Sequence, residues 1–115
     1  MSRFRVRYTA RARQQLREHL LWVRERSEKG YETLRDRILE AVESLAEEPE
    51  SHAPAPESAS VGFTVRRLLV GKRRGQFRIL FRVIGEEVYV LAVRRGLQDL
   101  LPPEMLESEP DDGAS

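Results

Sequence analysis

The sequence predicts an α+β two-layer sandwich with the element order β-α-α-β-β-β. Apolar residues recur at helical spacing in two stretches between residues 10 and 45. Apolar and polar residues alternate with period two in residues 3–9 and 76–83, and two further apolar runs cover residues 63–70 and 88–95. A helical hairpin of this kind can pack on one face of a four-stranded, mainly antiparallel sheet. We assign residues 1–101 to one domain and residues 102–115 to an acidic, disordered tail that contributes little to stability.

The first strand and first helix adjoin each other in the sequence. In residues 3–9, Phe4, Val6 and Tyr8 alternate with arginines, which predicts a strand with one buried face. Thr9 is a suitable N-cap for the helix that follows. The buried stripe of this helix steps by four, four and three residues and consists of Ala12, Leu16, Leu20 and Val23.

A second helix follows the break at "SEKG", residues 27–30. We expect Gly30 to be the turn residue and Pro49 to end the helix. Its apolar side consists of Tyr31, Leu34, Ile38, Ala41, Val42 and Leu45, and its remaining surface is acidic. A short turn between two amphipathic helices predicts an antiparallel helical hairpin.

Three apolar segments complete the domain after a proline- and serine-rich loop at residues 49–61. They are "FTVRRLLV" (63–70), "QFRILFRVI" (76–84) and "VYVLAVRR" (88–95). Two short connections join them, which predicts an antiparallel meander. In the middle strand, Phe77, Ile79 and Phe81 fall on one face and the arginines on the other. If the helices cover the apolar face, the arginine face must meet water or a partner.

Several classes of function lack support in the sequence. There is no cysteine, and nothing approaches eighteen consecutive apolar residues or a signal peptide, so we expect a cytoplasmic protein. The two histidines, His19 on a helix and His52 in a loop, do not have metal-ligand spacing, and we interpret them as a helix-face residue and a solvated residue. No nucleophile elbow or phosphate-binding glycine pattern is present. We expect neither a metal nor a cofactor.

Charge is distributed in blocks although the net charge is only +1. The segment 61–100 carries nine basic residues against Glu86, Glu87 and Asp99. These basic residues are the candidate target- or nucleic-acid-binding set: Arg66, Arg67, Lys72, Arg73, Arg74, Arg78, Arg82, Arg94 and Arg95. Arginine suits phosphate or carboxylate recognition, but it is also an acceptable residue for any solvated sheet face. General acid–base chemistry would have only Tyr89 and Lys72 nearby.

Four segments of the chain together resemble the RelE/ParE superfamily of toxins from bacterial type II toxin–antitoxin systems. They are "VRYTARARQQLREHLLWV", "LAEEP", "VRRLLVGKRRGQFRILFRV" and "VYVLAVRRG", in the same order of elements, and the likeness covers residues 3–100. The resemblance implies a cytoplasmic, plasmid-stabilisation-type toxin that inhibits growth. It also implies a cognate antitoxin protein that neutralises the toxin with an extended or helical segment.

The superfamily divides by target. RelE-like members cut mRNA on the ribosome, and that branch would make Arg66, Arg78, Arg94 and Arg95 the catalytic candidates. ParE-like members poison DNA gyrase and are not enzymes in that sense. The stretch "RRGLQDLLPPEM" has no tyrosine or histidine, which RelE-like members carry near the C-terminus, and this favours the ParE-like branch. A third alternative is an inactive member that only binds its antitoxin and takes part in regulation.

Overall fold

A computed structural model describes residues 3–71, 76–96 and 100–106. The helices and strands follow the predicted order, which confirms the fold class. They are β1 (Arg5–Tyr8), α1 (Ala10–Arg24), α2 (Glu28–Glu43), β2 (Arg66–Val70), β3 (Phe77–Ile84) and β4 (Glu87–Arg95).

The sheet is mixed, with the strand order β1-β4-β3-β2. β2, β3 and β4 form the predicted antiparallel meander, whereas β1 pairs with β4 in parallel. The long path from β1 through the helical hairpin permits this parallel pairing, since parallel neighbours cannot be joined by a tight turn. Gly71, Gly85 and Gly96 have positive φ at the ends of the meander strands, a conformation that favours glycine.

The main core lies between the helices and one face of the sheet. Thr9 caps α1 as predicted, because its Oγ1 accepts a hydrogen bond from the Ala12 backbone N–H at 3.1 Å. The alternation in β3 is also confirmed, with Phe77, Ile79 and Phe81 buried in this core. The other buried members of the core are Ala12, Ile38, Val42, Leu45, Leu68, Val70, Val88, Val90 and Val93.

Both expected boundaries of the second helix are wrong. The helix begins at Glu28, capped by Ser27, whose Oγ accepts a hydrogen bond from the Gly30 N–H at 2.9 Å. Gly30 therefore lies in the first turn of α2, where an added Cβ would come within 3.1 Å of the Ser27 hydroxyl. At its other end the helix stops at Glu43, and Ser44–Ala46 continues as a 3-10 turn. Pro49 follows that turn and begins another, Pro49–Ser51.

A second hydrophobic cluster covers the sheet face opposite the helices, which we call the distal face. The sheet contributes Leu80, Leu91 and Ala92 to this cluster. Leu91 and Ala92 are consecutive in β4, but both lie on the distal face because a bulge shifts the pairing of β3 with β4 between Leu80 and Phe81. The residues that cover this face, which we call the cover, come from the loop before β2 and from the C-terminal segment. The loop supplies Ala55, Val61, Phe63 and Val65, and the C-terminal segment supplies Leu101, Met105 and Leu106. The expectation that this face is open to water or a partner is therefore wrong over this part of the sheet.

The cover has its own backbone and side-chain attachments. The loop pairs with the outer edge of β2, because the Arg67 N–H donates to the Ala53 carbonyl at 3.0 Å. Ser58 Oγ both accepts from the Val65 N–H and donates to the Val65 carbonyl, at 2.8 and 2.9 Å. On the C-terminal side, Pro103–Met105 forms a 3-10 turn that places Leu106 in the cluster, 1% exposed. Residues 103–106 thus pack on the domain, although the sequence assigns them to the tail.

Candidate functional site

Arg78 forms a buried ion pair with a carboxylate from the covering loop. Its Nη1 donates to Glu57 Oε1 at 3.3 Å and its Nη2 donates to Glu57 Oε2 at 3.1 Å. The Glu57 side chain has no exposed surface and that of Arg78 is 12% exposed. Glu57 Oε2 also accepts a hydrogen bond from the Leu101 N–H at 3.4 Å. Glu57 therefore joins the loop, β3 and the C-terminal segment at one point beneath the cover.

The protonation of Glu57 is set by two opposing influences. Burial raises the pKa of its carboxyl group, but the hydrogen bonds and charge of Arg78, together with the backbone N–H groups of Glu57 and Leu101, outweigh burial, and the pKa lies below its ordinary value of 4.5. A carboxylate with a depressed pKa contributes stability above its unfolded-state pKa and loses that contribution as pH falls through the folded-state value.

We therefore predict a pH-dependent penalty for Glu57→Gln. The difference in free energy of unfolding between wild type and this variant should be largest at pH 6–7 and should shrink as the pH falls below the ordinary carboxyl pKa of 4.5. Urea titrations at neutral pH and at successively lower pH values measure this difference. A difference that stays constant across the range would show that the charge of Glu57 contributes nothing.

Arg82, another distal-face arginine, is also held by an intramolecular contact. The Arg82 guanidinium stacks on the Phe63 ring, 3.7 Å from its centroid, and its buried Nε has no hydrogen-bond partner among the described residues. Arg94 is half-buried and lies opposite Arg78 in the register of β3 and β4. Arg78 and Arg94 are thus cross-strand neighbours of like charge, and Glu57 offsets the charge of Arg78.

The arginine doublets divide between the two faces of the sheet. Arg67 is exposed and lies opposite Leu80, on the distal side, whereas Arg66 lies opposite Phe81, on the helix side. Arg66 donates from Nη1 to the His52 carbonyl at 2.7 Å. His52 is not simply solvated as expected, since its ring also meets Phe81 edge-on at 5.8 Å.

Among the described residues, the structure therefore does not gather the candidate arginines into one open basic face. Arg95 lies opposite Phe77, on the helix side, and stacks on the α1 residue Trp22 at 4.3 Å. Lys72, Arg73 and Arg74 lie outside the described residues. Tyr89, the other candidate for proton transfer, donates its hydroxyl hydrogen to Glu87 Oε1. The binding role of this basic set remains a prediction, and those of its members that the structure describes lie on both faces of the sheet.

A groove between α1 and α2 is a site that sequence reasoning missed. Its apolar lining consists of Leu16, Leu20, Leu21 and Tyr31, and its volume is about 250 Å³. Arg13, Arg17 and Arg24 form its rim, and the described lining residues include no acid. The sequence feature that could have indicated the groove is Leu21, an apolar residue that lies outside the buried stripe of α1. Its side chain is 50% exposed.

Two further kinds of site find no support in the described ranges. Residues 3–71, 76–96 and 100–106 contain no group of three or more histidine, aspartate or glutamate side chains that could hold a metal ion. Within the same ranges, no helix has the length and apolar character needed to cross a membrane.

Fold and groove together define a small α+β domain, a helical hairpin on a four-stranded sheet, with an apolar groove of about 250 Å³ that three arginines also line. The family model described as "ParE toxin of type II toxin-antitoxin system, parDE" matches residues 6–100. The chain therefore belongs to the ParE toxin family of type II toxin–antitoxin systems.

A solved structure supports the same fold. The chain is similar to a structure titled "Chromosomal ParDE TA system from P. aeruginosa", with a TM-score of 0.64 and 23% sequence identity. The match covers 81% of this chain and 96% of that one. At this identity the likeness establishes the fold alone. No curated protein sequence matches the chain.

Proposed function

We propose that this ParE-type toxin arrests growth by poisoning DNA gyrase and that a cognate antitoxin neutralises it. The observation that carries the choice of target is the Arg78–Glu57 ion pair beneath the distal-face cover. An arginine that stabilises the developing charge on a scissile phosphate must present its N–H groups to the substrate. Arg78, the strand arginine that a RelE-like nuclease would use, directs them to Glu57 instead.

Tyr89, the one candidate for proton transfer that lies within the described residues, supports the same choice. RNA cleavage needs a general acid or base within hydrogen-bond reach of the reacting atoms. Tyr89 is hydrogen-bonded to Glu87, which also pairs with Arg5 and Arg7 at 3.1 and 3.0 Å. No observation in the described residues favours the endoribonuclease alternative or the inactive, regulatory alternative over gyrase poisoning.

The groove between α1 and α2 is suited to a segment of the antitoxin. Leu16, Leu20 and Leu21 would receive apolar side chains, and the three rim arginines would complement acidic ones. We expect the antitoxin to supply an amphipathic segment with both kinds of residue, bound in the manner of a helix in a groove.

Leu21→Asp tests this role of the groove. A carboxylate on the apolar floor should weaken antitoxin binding at least tenfold, about 1.4 kcal/mol, by isothermal titration calorimetry. Leu39→Asp is the matched control, because Leu39 is exposed to a similar degree, 47% against 50%, but does not line the groove. Equal losses from both variants would remove the groove from the antitoxin interface.

The choice of target is tested with purified components. We expect the toxin, added to gyrase, ATP and relaxed plasmid, to reduce supercoiling and to accumulate cleaved DNA, and we expect the antitoxin to reverse both effects. In a translation reaction, the same toxin should leave mRNA uncut. Cuts in translated mRNA without any effect on gyrase would establish the endoribonuclease alternative instead.

A further inference from the structure

Each of the two helices carries a row of exposed charges of one sign. On α1, the side chains that recur at steps of four, four and three residues, which we call the basic row, are Arg13, Arg17, Leu21 and Arg24. On α2, the side chains at steps of four, three and four residues, which we call the acidic row, are Glu32, Asp36, Leu39 and Glu43. Residues at these steps share one helix face, so each row presents a leucine among three like charges.

The remaining charges on the helices do not cancel this opposition. α1 contains four arginines against the single acid Glu18, and α2 contains five acids against three basic residues. Arg24 already pairs with Glu28 at 3.4 Å. Asp36 already pairs with Arg35 at 3.2 Å, but exposed ion pairs of this kind are weak. The row members that form no ion pair with any described residue are Arg17, Glu32 and Glu43.

The course of the helical hairpin sets which members of the rows lie at the same level. Tyr31, in the first turn of α2, lines the groove together with Leu21, near the end of α1. Because α2 runs back along α1 from this point, each further residue of α2 lies level with an earlier residue of α1, at about 1.5 Å per residue. Asp36 is therefore level with Arg17. Leu39 lies about one turn further along, still within the length of the groove.

We propose that the free chain forms a symmetric dimer in which the basic row of each copy packs against the acidic row of the other. A two-fold axis parallel to the helices places α1 of each copy over α2 of the other, at the same level and in antiparallel directions. This arrangement brings Arg17 opposite Asp36 of the second copy and seats Leu39 in the second copy's groove. A two-fold axis across the helices would instead place α1 against α1 and bring like charges together.

A second copy fits this surface because the acidic row has the chemistry that the groove favours. Leu39 offers an apolar side chain to the apolar lining, and carboxylates on either side of it face the arginines of the groove. Leu39 and Leu21, 47% and 50% exposed, would both lose contact with solvent. The contact area is small, so we expect the dimer to be weak and to dissociate on dilution.

The dimer goes beyond the proposed function, because it requires only this chain. One consequence rests on the proposed function: the antitoxin segment and Leu39 of a second copy would occupy the same groove. Leu39→Asp should therefore lose the dimer but bind the antitoxin at least as tightly as wild type does, whereas Leu21→Asp should lose both. Failure of the dimer and failure of the antitoxin groove are thus separate results.

Sedimentation velocity of the toxin without antitoxin, from about 1 to about 100 μM, tests the dimer. Wild type should pass from monomer to dimer over this range. Leu39→Asp should weaken the dimer at least about tenfold, because it places a carboxylate against the apolar lining of the groove. Ile84→Asp is the matched control and should leave the dimer unchanged, because Ile84 is 46% exposed but lies at the end of β3.

A charge exchange tests the pairing of the rows. Arg17→Glu and Asp36→Arg should each weaken the dimer, because each places like charges at both contacts. An equimolar mixture of the two variants should dimerise as wild type does, since a mixed dimer has unlike charges at both contacts. This recovery would also show that both variants fold. A wild-type chain that stays monomeric over the whole range would overturn the proposal, and so would a dimer that Leu39→Asp leaves intact or a mixture no more dimeric than its separate components.

Discussion

Replacing Glu57 with alanine is expected to lower the free energy of unfolding by about 3–5 kcal/mol, the usual effect of removing one partner of a buried ion pair. The variant leaves the Arg78 guanidinium beneath the cover without its carboxylate and opposite Arg94 in the neighbouring strand. It also removes the acceptor for the Leu101 N–H. Urea denaturation at pH 7 measures the change.

Glu28→Ala is the matched control for Glu57→Ala. It removes the same side chain from an ion pair with Arg24 in which both partners are more than half exposed. Exposed pairs at this helical spacing contribute about 0.3–0.5 kcal/mol. If both variants lost similarly little stability, the Glu57–Arg78 ion pair would not hold the loop on the distal face. Arg78 would then not be a structural residue.

Truncation after Pro103 should cost about 2–5 kcal/mol, the range for removing a large buried aliphatic side chain. The cut removes Leu106, which is 1% exposed, together with the partly buried Met105. Without them, Leu80 and Leu91 on the distal face would lose part of their cover.

Truncation after Leu106 is the comparison for the shorter chain. It removes only residues 107–115, which carry four acids and one apolar side chain, and it should leave stability nearly unchanged. Equal melting temperatures for the two truncated chains would show that Leu106 is dispensable and would restore the domain boundary expected from the sequence.

Features that depend on local periodicity could be predicted from the sequence. The alternation in β3 identified its core side correctly, because a strand exposes successive side chains to opposite faces. The cap residue Thr9 could also be predicted, because its role depends only on residues within one helical turn. The positions of Gly30 and the end of α2 were less predictable, since a serine cap and a 3-10 turn can each move a boundary by several residues.

The cover of the distal face could not be predicted in this way. Glu57 lies 21 residues before its partner Arg78, in a loop whose prolines and serines indicate only irregular structure. One signal was present: Leu80 interrupts the polar set in β3, between Arg78 and Arg82. A buried leucine on a supposedly solvated face implies that something packs on it, but alternation alone does not say which segment does so.

The central claim is that gyrase is the target and that Arg78 is a structural residue. Its most direct test is gyrase inhibition by the double variant Glu57→Gln/Arg78→Met. The variant removes both charges of the buried pair while keeping similar volumes, a change that is often neutral for stability. If Arg78 is structural and gyrase is the target, the folded variant should inhibit supercoiling within about twofold of wild type. A variant that folds with wild-type stability but no longer inhibits gyrase or arrests growth would show that Arg78 acts on the target, and would contradict the account.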